Sequence, residues 1–190
     1  IMFLPRMLYA LEKKKITHYY ILLGFFLLAK ENLSLIALFL GLSLIIFEKG
    51  KLRFHGLITT IISLIYFLLV IKIVIPFFLQ DSYAFWSNYQ QYGNGPGEAL
   101  LNILRRPVEI ITVSFNHPLK LLTWKFFLIS GGFLAFFYPR LAILLIPLFA
   151  QKFLSQNVNY LGTQYQYSVE FSIIVAIGVP LVLRRIRLIY

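Results

Sequence analysis

Long apolar runs separated by short basic clusters are the feature that most constrains this chain. The basic clusters lie at residues 13–15, 49–53 and 184–187. Hydrophobic residues make up 59% of the chain and charged residues 13%, whereas charged residues are about 25% of a soluble domain. Because a crossing helix needs about 20 apolar residues, the chain has room for roughly four to six membrane elements. The pattern predicts an all-α, polytopic integral membrane protein.

The position of the basic residues predicts how the chain is oriented in the membrane and does not indicate nucleic-acid binding. The formal net charge is +11, but the lysines and arginines are gathered at the ends of apolar runs. The positive-inside rule places all three clusters on the cytoplasmic side. We therefore expect membrane lipids, and not nucleic acid, as partners. The chain has no cysteine, and His18, His55 and His117 lack metal-ligand spacing, so neither a thiolate nor a histidine metal site is predicted.

A short hairpin is predicted around Lys30. Residues 16–29 and 33–47 are apolar and enclose Lys30, Glu31 and Asn32. Each arm would be about 21 Å long at a rise of 1.5 Å per residue, which is less than the ~30 Å of a hydrocarbon core. With basic clusters at both ends, the segment is expected to enter and return as a re-entrant hairpin. The alternative is one long tilted helix, which would put one basic cluster outside.

The remaining apolar segments complete the predicted bundle. Residues 54–78 have full crossing length, residues 119–138 are expected to return, and residues 141–154 and 167–183 supply two further spans. The apolar start of the chain contains Pro5 and Arg6 and lacks the order of a signal peptide. We expect residues 1–190 to form a single transmembrane domain, the C-terminal part of a longer chain.

The polar segment 79–118 is predicted to be an outer loop. A surface helix is expected to begin near Glu98 and to end at Pro107. Aromatic side chains in this loop are expected to lie at the lipid interface; they are Tyr83, Phe85, Trp86, Tyr89 and Tyr92.

Ionisable residues inside apolar segments are the candidate site residues, because a charge at membrane depth costs roughly 2.5–3.5 kcal/mol. Lys30 could hold a phosphate as a point charge, and Glu31 could orient that lysine, accept a substrate hydroxyl or bind a divalent metal. The alternative is a neutralised pair at a hairpin tip. Glu170 could contact substrate or only hydrogen-bond a neighbouring helix. Arg105 and Arg106 could bind lipid phosphate, although a helix C-terminus favours arginine in any case.

Several segments carry a family resemblance. They read "FFLLAKENLSLIALFLGLSLIIFEKGK", "VIPFF", "FLAFFYPRLAILLIPLFAQKFLSQ" and "QYQYSVEF". Together they resemble the prokaryotic family of predicted membrane proteins called domain of unknown function 2079, over nearly the whole chain. Such proteins are similar to members of the GT-C class. Members of that class are multi-spanning glycosyltransferases that use lipid-phosphate-linked sugars.

The resemblance implies a function for the chain. It implies sugar transfer from a polyprenyl-phosphate-linked donor on the outer side of a prokaryotic cytoplasmic membrane. It also implies that the catalytic acid lies on an outer loop upstream of residue 1, so that this chain supplies supporting residues. A membrane transporter, in which broken helices carry charges at depth, and a non-catalytic scaffold are the alternatives. The sequence specifies neither a cofactor nor an oligomeric state.

Overall fold

The computed structural model describes residues 2–79, 84–163 and 169–187, and no strand occurs in those ranges. The first half contains α1 (Phe3–Glu12), α2 (Ile16–Ala29), α3 (Leu33–Phe47), α4 (Gly50–Leu69) and α5 (Ile75–Leu79). The second half contains α6 (Pro96–Arg105), α7 (Pro107–Val113), α8 (Pro118–Ile129), α9 (Pro139–Phe153), α10 (Val158–Leu161) and α11 (Val169–Arg187). The predicted all-helical fold is confirmed for the described residues.

The predicted helix break at Lys30 is confirmed. Lys30 is extended, with φ −166° and ψ 140°, and it separates α2 from α3. The Tyr20 hydroxyl, near the start of α2, lies 2.9 Å from Nδ1 of His55, near the start of α4. The end of α3 at Phe47 is close to the start of α4 at Gly50, and the Tyr20–His55 contact brings the start of α2 to the start of α4. The start of α2 and the end of α3 therefore lie at the same end of the bundle. The turn at Lys30 therefore projects toward the opposite end.

Helices α3 and α4 pack closely because small residues face each other. A Cβ added to Gly41 would lie 2.6 Å from the backbone nitrogen of Thr60, and one added to Gly56 would lie 2.8 Å from the Gly41 carbonyl oxygen. Backbones approach this closely only where glycine or another small residue forms the contact. These glycines fix the position of α3, and thereby the position of the Lys30 turn.

The predicted span over residues 54–78 is confirmed as a helix of crossing length. Helix α4 continues through a π-helical turn, Val70–Val74, into α5. Gly50–Phe78 contains an 18-residue window with a mean hydropathy of 2.6 and is, within the described residues, the one helix long and apolar enough to cross a membrane. The π-helical turn has a local cause, since Pro76 has no N–H to donate and its ring crowds the carbonyl one turn earlier.

The segment 119–138, predicted to be a crossing, is not one continuous helix. Helix α8 has 12 residues, about 18 Å at 1.5 Å per residue. It ends where Gly131 adopts φ +76°, and a 3₁₀ helix, Gly132–Phe137, follows. Glycine permits the positive φ that ends the helix. A Cβ on Gly132 would meet the Phe127 ring at 2.5 Å, so the chain turns tightly over its own helix.

The loop between α5 and α8 is more folded than predicted. The surface helix is confirmed as α6, but the second helix, α7, and a 3₁₀ helix, Ala84–Tyr92, were not predicted. Tyr89 is partly buried and Tyr92 is buried, so these two rings pack inward instead of lying at an interface. Tyr83 lies outside the described residues, as do the side chains of Phe85 and Trp86.

An aromatic core joins α8, α9 and α11. Trp124 stacks on Phe149 and Phe153 with ring centroids 4.9 and 4.8 Å away, and Phe149 meets Phe171 edge to face at 5.1 Å. Offset or edge-to-face arrangements of this kind add to the stabilisation from burial. This core fixes the ends of α9 and α11, which carry Lys152 and Glu170.

Candidate functional site

The structure brings together charged residues that are far apart in the sequence. Lys30 follows the last residue of α2, Lys152 lies in the last turn of α9, and Glu170 lies in the first turn of α11. The turn between α2 and α3 and the ends of α9 and α11 therefore meet at one end of the bundle. We call Lys30, Lys152 and Glu170 the charged cluster.

Lys30 and Glu170 form an ion pair. Lys30 Nζ lies 3.7 Å from Glu170 Oε1, and the side chains are 33% and 5% exposed respectively. The first turn of a helix presents unpaired N–H groups and the positive end of the helix dipole, which favour a carboxylate there. Glu170 is therefore held in place, while the more exposed Lys30 can reach outward.

Lys152 is more deeply buried than Lys30, with 3% exposure. Its Nζ donates a hydrogen bond to the Gly162 carbonyl at 2.7 Å and lies 6.0 Å from the centre of the Phe171 ring. The Glu170 carboxylate also attracts this ammonium group. A buried ammonium is stable only with such partners, so Lys152 and Glu170 support each other at the base of the cluster.

An amide pair lies beside the charged cluster. Asn32 Nδ2 donates to Gln151 Oε1 at 3.2 Å, whereas Asn32 Oδ1 and Gln151 Nε2 are buried without a hydrogen-bond partner. Both residues line a cavity of ≈ 10 Å³ together with Lys152 and Glu170. That volume is about what one water molecule needs. The cavity thus combines an acceptor, a donor and two charges around a space for a small polar group.

A larger apolar cavity adjoins the cluster. Its volume is ≈ 340 Å³, and Lys152 lines both this cavity and the small polar one. The other lining residues come mainly from α8, α9 and α11: Thr123, Phe126, Phe127, Ser130, Phe149, Phe153, Thr163, Phe171, Ser172, Val175 and Ala176. The arrangement, an apolar space with a lysine in its wall, suits an amphipathic ligand with an anionic head.

The 3₁₀ helix Ala84–Tyr92 covers the end of α9. The Tyr89 hydroxyl donates to the Gln151 carbonyl at 2.7 Å, and Gln91 Nε2 donates to the Leu154 carbonyl at 3.1 Å. Burial raises the pKa of Tyr89 to about 12, so its hydroxyl keeps its proton throughout the physiological range. The loop is thereby fixed over the cluster by contacts with neutral groups.

The other predicted site residues lie apart from this cluster or beside it. Glu31 is next to Lys30 in the same turn, where its backbone carbonyl accepts a hydrogen bond from the Ser34 hydroxyl. Arg105 and Arg106 are exposed at the junction of α6 and α7. Arg106 pairs with Glu109 at 3.4 Å. The structure therefore joins Lys30 to Glu170 and leaves the arginines on the loop.

Sequence reasoning missed Lys152, Asn32 and Gln151 as site residues. The available signal was weak: Gln151 and Lys152 are adjacent polar residues at the end of an apolar helix. Lysine near a helix C-terminus is expected for reasons of charge alone. Burial alone does not mark a lysine as a site residue either, because Lys120 in the first turn of α8 is also buried but donates to the Val113 carbonyl and to Asn116 Oδ1 at 2.7 and 3.1 Å, which is a structural role.

Comparison with known proteins identifies a family. The family model described as "Predicted membrane protein (DUF2079)" matches residues 2–189. No curated protein and no solved structure matches the chain.

Proposed function

The chain belongs to the DUF2079 family of predicted membrane proteins, and from that premise we propose that it binds a lipid-linked phosphate at the charged cluster. In this proposal it is a multi-pass protein of the prokaryotic cytoplasmic membrane. It supplies supporting residues to a GT-C-like glycosyltransferase that uses a polyprenyl-phosphate-linked sugar on the outer side.

The observation that carries the proposal is the position of Lys152 between two cavities. Its side chain lines the ≈ 340 Å³ apolar cavity and the small polar one, and the Lys30–Glu170 ion pair lies alongside. Ligand sites are mostly apolar spaces with a few placed polar groups. An apolar chain in the larger cavity would present its phosphate to the two lysines.

The three charged residues would have different tasks in binding. Lys30, one-third exposed, would turn from Glu170 to the phosphate and return when the ligand leaves. Lys152 would attract the phosphate from a fixed position, because its hydrogen bond to Gly162 holds it. Glu170 would keep both ammonium groups charged and oriented. During sugar transfer the lysines would offset the negative charge that develops on the departing lipid phosphate.

A transporter is the second candidate, and one observation favours it. The buried carboxylate of Glu170 lies where α11 begins, opposite the turn that breaks α2 from α3. Substrate sites of secondary transporters are typically built from broken helices near the membrane midplane. Uptake of labelled substrate into sealed proteoliposomes would favour the transporter. Binding of lipid phosphate without uptake would favour the glycosyltransferase.

Binding of undecaprenyl phosphate to purified protein in detergent tests the proposal directly. We expect Lys30→Met to weaken binding about tenfold or more, because a hydrogen bond to a charged group contributes ~1.5–3 kcal/mol. Lys30→Arg should restore only part of the affinity, since a guanidinium group does not match a compact ammonium. Native mass spectrometry of the complexes measures each affinity.

Two controls make the binding test specific. Lys125→Met removes an exposed lysine of α8 that lines neither cavity, and it should leave the affinity unchanged. Phosphatidic acid, an ordinary lipid phosphate, should bind more weakly than undecaprenyl phosphate. Equal losses for Lys30→Met and Lys125→Met, or equal binding of the two lipids, would show that the cluster is not a specific site.

A further inference from the structure

A third cavity, lined mainly by polar side chains, lies within the loop between α5 and α8. Its volume is ≈ 250 Å³, and residues of the 3₁₀ helix, α6 and α7 line it. Four of the lining side chains are amides: Gln90, Gln91, Asn94 and Asn102. We call this space the loop cavity.

The loop cavity is built by a fixed backbone. Gly93 adopts φ +147°, and a Cβ there would lie 2.8 Å from Glu98 Cγ, so glycine is required at this position. Asn102 Nδ2 donates to the Tyr92 carbonyl at 2.8 Å, and the Asn94 N–H donates to Glu98 Oε2 at 2.9 Å. These contacts tie the end of the 3₁₀ helix to α6 and hold the cavity open.

The charges that line the loop cavity are only partly compensated, because two carboxylates face one guanidinium group. Arg106 Nη1 lies 3.4 Å from Glu109 Oε2, and Glu98 accepts the hydrogen bond from Asn94. An anionic ligand would be repelled by the two carboxylates. A divalent cation would meet the positive charge of Arg106, and no group of metal-binding side chains of sufficient size occurs among the described residues.

The Tyr92 hydroxyl adds a second observation. Tyr92 lines the cavity and is 5% exposed, and its hydroxyl is buried without a hydrogen-bond partner of normal geometry. Burial raises the pKa of this hydroxyl, so it is protonated and can donate. The Gln91 side chain interacts with this hydroxyl without forming a hydrogen bond of normal geometry. A buried hydroxyl without a well-formed hydrogen bond is costly, and a ligand with hydroxyl groups would reduce that cost.

We propose that the loop cavity binds a neutral saccharide. Amide groups both donate and accept, and a carboxylate accepts from two neighbouring hydroxyls, which matches the donors and acceptors around a sugar ring. The volume is below the 300–1,000 Å³ typical of drug-sized ligands, which suits one sugar residue. This inference deepens the proposed sugar transfer, on which the choice of a saccharide rests, by placing a sugar at a site apart from the charged cluster.

The loop cavity and the charged cluster are connected through the 3₁₀ helix Ala84–Tyr92. The 3₁₀ helix contributes Gln90 and Gln91 to the cavity, and through Tyr89 it is bonded to Gln151 beside the charged cluster. One short element thus separates the saccharide pocket from the charged cluster.

Saturation-transfer NMR with methyl α-glycosides of glucose, galactose, mannose and N-acetylglucosamine tests the proposal on the full chain in detergent. At least one glycoside should bind the wild-type protein. Glu98→Gln should weaken that binding about fivefold, because a neutral acceptor replaces a charged one. Gln90→Ala should weaken it by a similar factor. Asn159→Ala, which removes an exposed amide of α10 outside the cavity, is the matched control and should bind as the wild type does.

Stability measurements separate binding from folding. Gln90 is exposed, so its substitution should leave the melting temperature unchanged. Tyr92→Phe removes only the unpaired hydroxyl and should leave stability equal or higher while saccharide binding falls. No binding of any glycoside, equal effects of Gln90→Ala and Asn159→Ala, or Ca²⁺ binding in place of saccharide would overturn the proposal. Undecaprenyl phosphate binding should be unaffected by Gln90→Ala. Failure of the saccharide proposal can therefore be distinguished from failure of the lipid-phosphate proposal at the charged cluster.

Discussion

Two glycine-to-alanine substitutions should change stability in opposite directions. Gly24 lies in α2, and apart from the adjacent residues and backbone of its own helix no atom lies within 4 Å of the position that a Cβ would take. A Cβ on Gly41 in α3, in contrast, would lie 2.3 Å from Thr60 Oγ1, 2.6 Å from Thr60 N and 2.7 Å from the Gly56 carbonyl oxygen. Two of these three atoms belong to the backbone of α4. The Thr60 hydroxyl is also held, because it donates to the Gly56 carbonyl at 3.0 Å.

The expected magnitudes follow from these contacts. Replacing glycine by alanine inside a helix stabilises it by up to ~1 kcal/mol through helix propensity. Gly24→Ala should show this gain in full. Gly41→Ala has the same gain, but overpacking costs about 1–3 kcal/mol or more when the neighbours cannot move aside. Because propensity cancels between the two variants, their difference reports the overpacking cost alone.

Thermal unfolding in detergent, followed by tryptophan fluorescence, measures the difference. Trp124 is a suitable reporter because it stacks within the aromatic core. A change of 1 kcal/mol shifts the melting temperature of a chain of this size by about 2–4 °C. We therefore expect Gly41→Ala to melt about 2–12 °C below Gly24→Ala. Equal melting temperatures would refute the close packing of α3 on α4.

Three further predictions concern topology, a buried hydrogen bond and an ion pair. Cysteines at Lys14 and Gly50 should both resist a membrane-impermeant reagent added outside intact cells, and labelling of either one would contradict the cytoplasmic placement of the hairpin ends. Thr123→Val should lower the free energy of unfolding by about 1–3 kcal/mol in a denaturant titration, because its buried hydrogen bond to a backbone carbonyl, 2.6 Å long, is lost and the carbonyl is left unpaired. Glu48→Gln, which breaks the ion pair with the partly exposed Arg140, should cost no more than about 1 kcal/mol in the same titration; a larger loss would mean that the pair is screened from solvent.

The sequence by itself determined the helical class and most helix positions. Apolar runs bounded by charges predicted helices over residues 16–29, 33–47 and 54–78, because hydrophobic length and the charges at each end are local properties of the chain. The structure has helices at Ile16–Ala29, Leu33–Phe47 and Gly50–Phe78. The break at Lys30 was also readable, since adjacent charges within an apolar run rarely continue a membrane helix. The family resemblance was confirmed by the match over residues 2–189.

The tertiary structure alone decided which charges meet. Lys30 and Glu170 are 140 positions apart, and their pairing at 3.7 Å depends on how α3 packs against α4 and α9, which no local pattern specifies. In the sequence, Lys152 is indistinguishable from an ordinary lysine at the end of a helix. Only the packing of the aromatic core places it between two cavities. The inward turn of Tyr92 likewise depends on the fold of the loop, because an aromatic ring is equally suited to a lipid interface and to a packed interior. Local sequence sets the helices, but the contacts between helices depend on side-chain shapes that are complementary only once the bundle has assembled.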